Sequence, residues 1–252
     1  MKKLVIWIGM LALALSVSAA LPVMEDGGYA EDDALLTWRT SSRWQASLLY
    51  GYLNRDVTMD DVTLQLRADI VEASVGVSPW PWLLLYGQVG GSQARLNPVM
   101  RDDSGAGAGG LLGAQLNLWQ IYPAREATAW RLLLQVVGEV SYRTASDDVA
   151  GDLEWTTGTV MLPFFYHLTL ARSELNARAA DFHSLAIYAG PEVSWMDGNW
   201  THGGIKRSFR EEDSVGAVVG AELWLIEHLS FGVRAEWLGE RTSGQMNVRY
   251  RF

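Results

Sequence analysis

Along the final residues of the chain, Met246, Val248, Tyr250 and Phe252 alternate with Gln245, Asn247, Arg249 and Arg251. The stretch before it sets Leu229, Phe231, Val233, Ala235 and Trp237 against Ser230, Gly232, Arg234 and Glu236. Earlier still, Val215, Ala217, Val219, Ala221, Leu223 and Leu225 are interleaved with Gly216, Gly220 and Glu222. A period of two is the mark of a β-strand with two different faces. The pattern predicts ten strands, near 43–54, 62–78, 83–96, 106–118, 129–143, 153–170, 184–196, 214–226, 229–240 and 244–252. In the second segment the apolar phase slips between Ile70 and Val71, which predicts a β-bulge. Pro163 and Pro191 fall inside strands, where each removes a ladder donor. Eight strands or twelve also accommodate the pattern.

Soluble and membrane barrels share this alternation, so other features must separate them. The segments are longer than the roughly 5–6 residues usual in globular proteins, and they suit the about 9–11 residues that a tilted strand needs to cross a bilayer. Aromatic residues gather at their ends: Trp44, Trp80, Trp82, Trp119 and Trp130 at one side, Tyr50, Tyr52, Trp155, Trp195 and Trp237 at the other. Such girdles mark the two membrane interfaces. The linkers also alternate in character. Pro79–Trp82, Gln120–Thr128, Arg172–Phe182 and Glu227-His228 are short or rich in Pro and Trp. Asn54–Asp61, Asn97–Gly105, Ala145–Asp152, Asp197–Asp213 and Gly239–Gly244 are acidic and glycine-rich. The first set reads as periplasmic turns and the second as outer loops, with both ends of an even-stranded barrel in the periplasm.

Residues 1–20 supply the reason to place such a barrel outside the inner membrane. Lys2 and Lys3 precede an apolar run from Leu4 to Leu15, and Ser18 and Ala20 close it with small residues. This is the layout of a cleaved signal peptide. Residues 21–42 are acidic and turn-rich and read as a periplasmic lead-in, leaving 43–252 for a closed antiparallel transmembrane β-barrel of all-β class. There is no cysteine, so packing and hydrogen bonds alone hold the fold. A net charge of −9 argues against a nucleic-acid partner, which attracts basic surfaces. A soluble periplasmic barrel or sandwich is the architectural alternative.

The terminal Met246, Val248, Tyr250 and Phe252, alternating with polar residues and ending in Phe, resemble the last strand of Gram-negative outer-membrane β-barrel proteins. The pieces Tyr86-Gly87-Gln88-Val89-Gly90-Gly91 and Tyr188-Ala189-Gly190-Pro191-Glu192 are similar to strands of small barrels of that family. The resemblance spans 43–252 as a pattern. It implies outer-membrane lipid and lipopolysaccharide as surroundings, and insertion through the barrel-assembly machinery with the last strand as signal. It implies no activity.

Turning the polar face inward gives a charged lumen: Arg67, Asp69, Glu72, Arg131, Glu139, Arg143, Glu192, Glu222, Arg234, Glu236, Arg249 and Arg251. Six are basic and six acidic, a balance suited to buried pairs. Either a structural salt-bridge network or a narrow, selective polar pore would use such a set. His167, His183, His202 and His228 show no metal-ligand spacing. Asp181-x-His183 has the spacing of the omptin outer-membrane proteases but falls at a periplasmic turn, away from where those sites lie. Acidic clusters (Asp56, Asp60, Asp61; Asp102, Asp103; Asp147, Asp148, Asp152; Glu211, Glu212, Asp213) offer oxygen ligands without calcium-loop spacing. The longest outer loop combines Trp200, His202, Lys206, Arg207, Phe209 and Arg210, a mix suited to lipid phosphates or to a partner. The expected function is a non-enzymatic barrel with a structural, adhesive or lipid-contacting role, without cofactor or metal. A narrow porin-like channel and an outer-membrane hydrolase are the alternatives.

Overall fold

The computed structural model describes residues 43–100, 105–121, 130–147, 151–169, 184–226 and 228–252. The signal peptide and lead-in expected over 1–42, and Asp102, Asp103, Asp148, Asp181 and His183, lie outside them. The described residues form β1 (Arg43–Met59), β2 (Val62–Trp80), β3 (Leu83–Asn97), β4 (Gly107–Ile121), β5 (Trp130–Asp147), β6 (Gly151–Met161), β7 (Phe164–Thr169), β8 (Ser184–His202), β9 (Ile205–Glu211), β10 (Val215–Ile226), β11 (Leu229–Leu238) and β12 (Arg241–Arg251). All pairings are antiparallel, and β12 pairs with β1, so the sheet closes on itself.

Twelve segments make ten staves. β6 and β7 pair the same two neighbours in unbroken register, and only Leu162-Pro163 separates them. Pro163 has no N–H to give, yet its carbonyl still accepts from Gln135 N at 3.1 Å. β9 and β10 likewise continue one another along β8, with 212–214 looping out between them. The ten-strand barrel read from the sequence is the observed one.

Three expected outer loops are strand instead. β1 and β2 pair without a break from Arg43↔Ser78 to Met59↔Val62, leaving only Asp60-Asp61 as a turn. Both have positive φ, 51° and 62°, the geometry of a two-residue hairpin turn, which Asp tolerates better than most residues. β8 and β9 are joined by Gly203-Gly204, with φ of 58° and 81°. Leu238 pairs directly with Arg241, so Gly239-Glu240 is the whole connection. Polar composition had disguised these segments as loops.

The continuous β1–β2 register also removes the bulge expected at Ile70/Val71. The phase of the apolar residues changes because the environment does. Below that point on β2 the outward residues are Val71, Ala73, Val75 and Val77; above it they are Asp69, Arg67, Gln65 and Thr63, while Leu64, Leu66, Ala68 and Ile70 turn inward and are buried. β6 and β8 invert in the same way. Val160 and Trp195 face out below, Glu154 and Asp197 face out above, and Leu153, Trp155 and Met196 are buried inside.

The barrel therefore has two halves. Around the half nearest the described termini, the exterior is an apolar band. Val89 (69 % exposed), Leu112 (74 %) and Val215 (70 %) belong to it, a degree of exposure that water would penalise and lipid favours. On β1 the band runs from Trp44 to Tyr52. Nine residues at about 3.3 Å each, tilted by about 40°, cover roughly 23 Å, the height of the apolar belt of membrane barrels. The half at the Asp60-Asp61 and Gly203-Gly204 turns stands above that band with a polar exterior. Here β9 pairs β1 directly through Val57↔Glu211 and Thr58↔Arg210, closing the wall above the shorter β11–β12 hairpin.

Candidate functional site: the filled lumen

The inner face of the band half carries polar and charged residues, as strict alternation requires once the outer face is apolar. Ten of the twelve charged residues expected in the lumen point into it and are buried: Glu72, Arg131, Glu139, Arg143, Glu192, Glu222, Arg234, Glu236, Arg249 and Arg251. Arg67 and Asp69 do not. They share the outward face of β2 above the band, because the strand runs on without a bulge and keeps them on the same face as Val71 and Val75. Arg55 and Glu211 take their place inside. Both lie in segments that composition marks as loops, and the strand parity of β1 (Gln45, Ser47, Leu49, Gly51, Leu53, Arg55) would have found the first. Among the described residues the lumen again holds six arginines and six glutamates.

From the terminal end upward, these groups form a ladder of contacts. Arg251 lies 4.3 Å over the Trp224 ring, and Arg131 Nε donates to His167 Nδ1 at 3.2 Å. Arg249 Nη1 meets Glu222 Oε1 at 2.6 Å, with the Ser230 hydroxyl donating to the same oxygen at 2.7 Å. Arg143 grips Glu72 with two parallel bonds, Nε to Oε1 at 3.0 Å and Nη2 to Oε2 at 3.1 Å, while its Nη1 donates to Ser141 Oγ. Glu139 accepts from the Tyr86 hydroxyl at 2.7 Å and from Arg234 Nη2 at 3.3 Å. Arg55 is the uppermost hub: Nη2 to Glu236 Oε2 at 2.7 Å, Nε to Glu211 Oε1 at 3.2 Å, Nη1 to Ser243 Oγ at 2.8 Å, and Glu192 at 4.0 Å. Planar guanidinium forks suit such shared carboxylates.

Two tyrosines help to close the remaining space. A Cβ on Gly113 would lie 2.2 Å from the Tyr86 ring, and one on Gly220 would lie 2.3 Å from the Tyr188 ring. Each ring lies across a glycine of another strand, so the missing side chain is what lets it cross the lumen. Above the ladder, the inward residues of the protruding half form an apolar cap. Val57, Leu66, Leu96, Leu153, Trp155, Met196 and Phe209 are part of one buried cluster, which continues down the β5–β8 wall through Val137, Met161 and Phe165. Trp155, expected at the membrane surface, is 1 % exposed inside this cap. Between ladder and cap remains a cavity of about 50 Å³, lined among others by Arg55, Glu139, Arg143 and Arg234, room for a few waters at roughly 10–15 Å³ each.

The other expected site residues fall as follows. Trp44, Trp119, Trp195 and Trp237 face outward, Tyr50 and Tyr52 are half-buried on the outer face of β1, and Trp80 and Trp82 stack at 5.3 Å at the β2–β3 turn. Trp130 stacks on Tyr166 at 6.1 Å. Met246 and Tyr250 are exposed on β12, with Val248 half-buried between them, and Phe252 is exposed just past its end. His202 stacks on Trp200 at the tip of the β8–β9 hairpin. Several outer acidic residues are spoken for by cations: Asp56 by Arg241 at 2.8 Å, Asp60 by Arg207 at 3.2 Å, and Glu154 by Lys206 at 2.6 Å. The Lys206 ammonium holds the Glu154 carboxyl below the usual carboxylate range. Among the described residues, no three metal-binding side chains converge.

No family model and no curated protein matches the chain. Among solved structures, the translocator domain of the autotransporter NalP from Neisseria meningitidis is 11 % identical, covering 84 % of this chain and 89 % of that one with a TM-score of 0.32. The transport unit of the autotransporter AIDA-I from Escherichia coli is 11 % identical, covering 96 % and 97 % with a TM-score of 0.38. The CymD monoaromatic hydrocarbon channel is 8 % identical, covering 84 % and 87 % with a TM-score of 0.24. Overlap this low leaves the assignment to the geometry itself. The closed ladder, the outward apolar band and the polar lumen make this chain a β-barrel of the outer-membrane type.

Proposed function

We propose that the chain is a non-enzymatic, non-conducting barrel of the Gram-negative outer membrane, with a structural, adhesive or lipid-contacting role carried by its protruding wall. The apolar cap over the paired lumen is the observation that carries this reading. A solute would have to cross buried Leu66, Leu96 and Trp155, and then a ladder in which Arg55, Arg143, Arg234 and Arg249 are already ion-paired with glutamates. In this reading the described termini face the periplasm and the Asp60-Asp61 and Gly203-Gly204 hairpins face outward, with the barrel-assembly machinery acting during insertion.

The water-sized cavity among Arg55, Glu139, Arg143 and Arg234 supports the second reading, a narrow channel for small polar solutes that opens when the cap moves. Planar-bilayer recording of refolded protein separates the two, with heat-modifiable gel mobility as the control for folding. Folded protein that passes no current supports the closed barrel. Reproducible steps that change in Glu139→Gln would overturn it and make the lumen a pore. Fractionation of cells supports the location if the protein stays with outer membranes; release with soluble periplasmic contents would overturn it.

A further inference from the structure

The Gly190-Pro191-Glu192 stretch of β8 sets one carboxyl in the lumen under conditions unlike those of its neighbours. Glu192 is 1 % exposed, and among the described residues neither of its oxygens receives a hydrogen bond. Val193, the outward residue beside it, is exposed in the apolar band, so the wall at this level is backed by hydrocarbon. The backbone here is held firmly. The Leu162 N–H donates to the Pro191 carbonyl at 3.0 Å, and a Cβ on Gly190 would meet the Leu162 carbonyl at 2.2 Å. That close approach clamps β8 against its neighbour with Glu192 turned inward.

The other acids at this level have close partners. Glu236 meets Arg55 Nη2 at 2.7 Å and Arg234 Nη2 at 2.8 Å. Glu211 meets Arg55 Nε at 3.2 Å and accepts from the Ser194 hydroxyl at 2.9 Å. Glu139 accepts from Tyr86 and Arg234. Glu192 is reached by Arg55 Nη2 at 4.0 Å, the same nitrogen that binds Glu236. The charges acting on it are Glu236 and Arg234 on β11, Arg55 on β1 and Glu139 on β5, while Glu211 of β9 competes for Arg55. On its own strand the Tyr188 hydroxyl is buried nearby, and its partners on the flanking strands, Met161 and Gly216, are uncharged. Two arginines thus serve four glutamates. A buried carboxylate without hydrogen bonds or a close cation is costly, and a proton relieves that cost. We propose that Glu192 holds a proton in the closed barrel and acts as a pH-sensitive latch on the upper ladder. With the proton on, Arg55 and Arg234 hold the other three acids together. When it passes to water in alkaline medium, the new carboxylate repels Glu236, Glu139 and Glu211, and the ladder loosens. The latch belongs to the closed barrel itself and is independent of the role of the protruding wall.

The test follows urea unfolding of the full chain in short-chain phosphatidylcholine vesicles between pH 5 and 8. Wild type is compared with Glu192→Gln, whose amide keeps the shape of the neutral acid. An unfolded glutamate releases its proton near pH 4.3, give or take about a unit, so above that value the folded chain carries one proton more. Stability from this group is then full in acid and falls as pH rises. The wild-type unfolding constant should rise relative to that of the variant by up to about tenfold per pH unit, the effect of one proton, leaving the variant the more stable at pH 8. A ratio that stays constant across this range would overturn the latch. So would a variant that never forms the compact gel band, because the amide reproduces the neutral state. Glu211→Gln removes an acid that is already paired and should lower the midpoint at pH 8; a rise equal to that of Glu192→Gln would overturn the assignment to Glu192. Infrared spectra of folded wild type at pH 7 should show a protonated-carboxyl band that Glu192→Gln lacks, and its absence from wild type would overturn the proposal without any variant.

Discussion

Replacing Arg55 by methionine tests whether the lumen ladder stabilises the barrel as a connected unit. Arg55 bridges Glu236 at 2.7 Å and Glu211 at 3.2 Å, and also donates to Ser243. Its side chain is 3 % exposed and that of Glu211 2 %, so solvent screening is slight. Arg55→Met leaves Glu211 with the Ser194 hydroxyl, at 2.9 Å, and Glu236 with Arg234, at 2.8 Å. Removing one partner of a buried pair costs about 3–5 kcal/mol, because the other charge stays buried. We expect about 4 kcal/mol, roughly a thousandfold in the unfolding constant, and a large share of the 5–15 kcal/mol that holds a typical domain together. Arg55→Lys keeps the charge but cannot fork between two carboxylates, so it should lose about half as much. Arg207→Gln is the control, since the Arg207–Asp60 pair is exposed and such pairs contribute about 0–1 kcal/mol. Reversible urea unfolding in thin-bilayer vesicles, followed by tryptophan fluorescence, gives all three numbers. The reasoning is refuted if Arg55→Met moves the midpoint no more than Arg207→Gln does.

Gly113→Ala should cost about 1–3 kcal/mol in the same assay, because the new methyl drives Tyr86 off the lumen position from which it bonds Glu139; an unchanged midpoint would mean the ring has other room. Lys206→Gln should move the Glu154 carboxyl upward, with the Asn199 and Tyr142 hydrogen bonds still holding it down in part. A depressed carboxyl stabilises above its unfolded pKa and loses that contribution as pH falls through the folded value, so the wild-type hairpin should loosen in acid and the variant should show less of that dependence, as read by carboxyl NMR titration. Phe252→Ala should change equilibrium stability by less than about 1 kcal/mol, since the ring is exposed and the Phe252 N–H to Trp44 bond is backbone. It should still slow insertion in cells if the terminal strand is read by the assembly machinery, which pulse-chase of the compact form would measure.

Much of this architecture was legible because a lipid-facing strand repeats one simple rule, apolar outward at every second residue. The β10–β12 region obeys it apart from a bulge at Leu225 and the outward Thr242, and there the sequence pattern, the ladder and the lumen charges agree. The rule misleads where the strands leave the apolar band. Arg67 and Asp69 stay on the outward face that Val71 and Val75 occupy lower down, while the apolar Leu66 and Ile70 are inward, and without depth information such a change of character and a bulge look alike. The β8–β9 hairpin was hidden for a related reason. Its outward Asp197, Asn199, Thr201, Lys206 and Ser208 have loop composition, whereas its inward Met196 and Phe209 are too sparse to announce a strand. Arg55 was missed with them. The pairings inside the lumen, such as Arg143 with Glu72, join residues 71 positions apart, a distance no local pattern can bridge.

The phase change at Val71 and Asp69 works as a waterline written into the chain. Moving the barrel down by one outward position, about 5 Å along the normal, would draw Asp69, Thr156 and Asp197 into hydrocarbon, and charges there are costly. Moving it up by as much would lift the outward Val71 and Trp195 into water and draw Trp44 and Phe252 from their interface into hydrocarbon. The barrel is therefore fitted to a bilayer of one thickness, and a thicker one must thin locally around it. A series of vesicles with increasing acyl length should show insertion falling off on the thick side first.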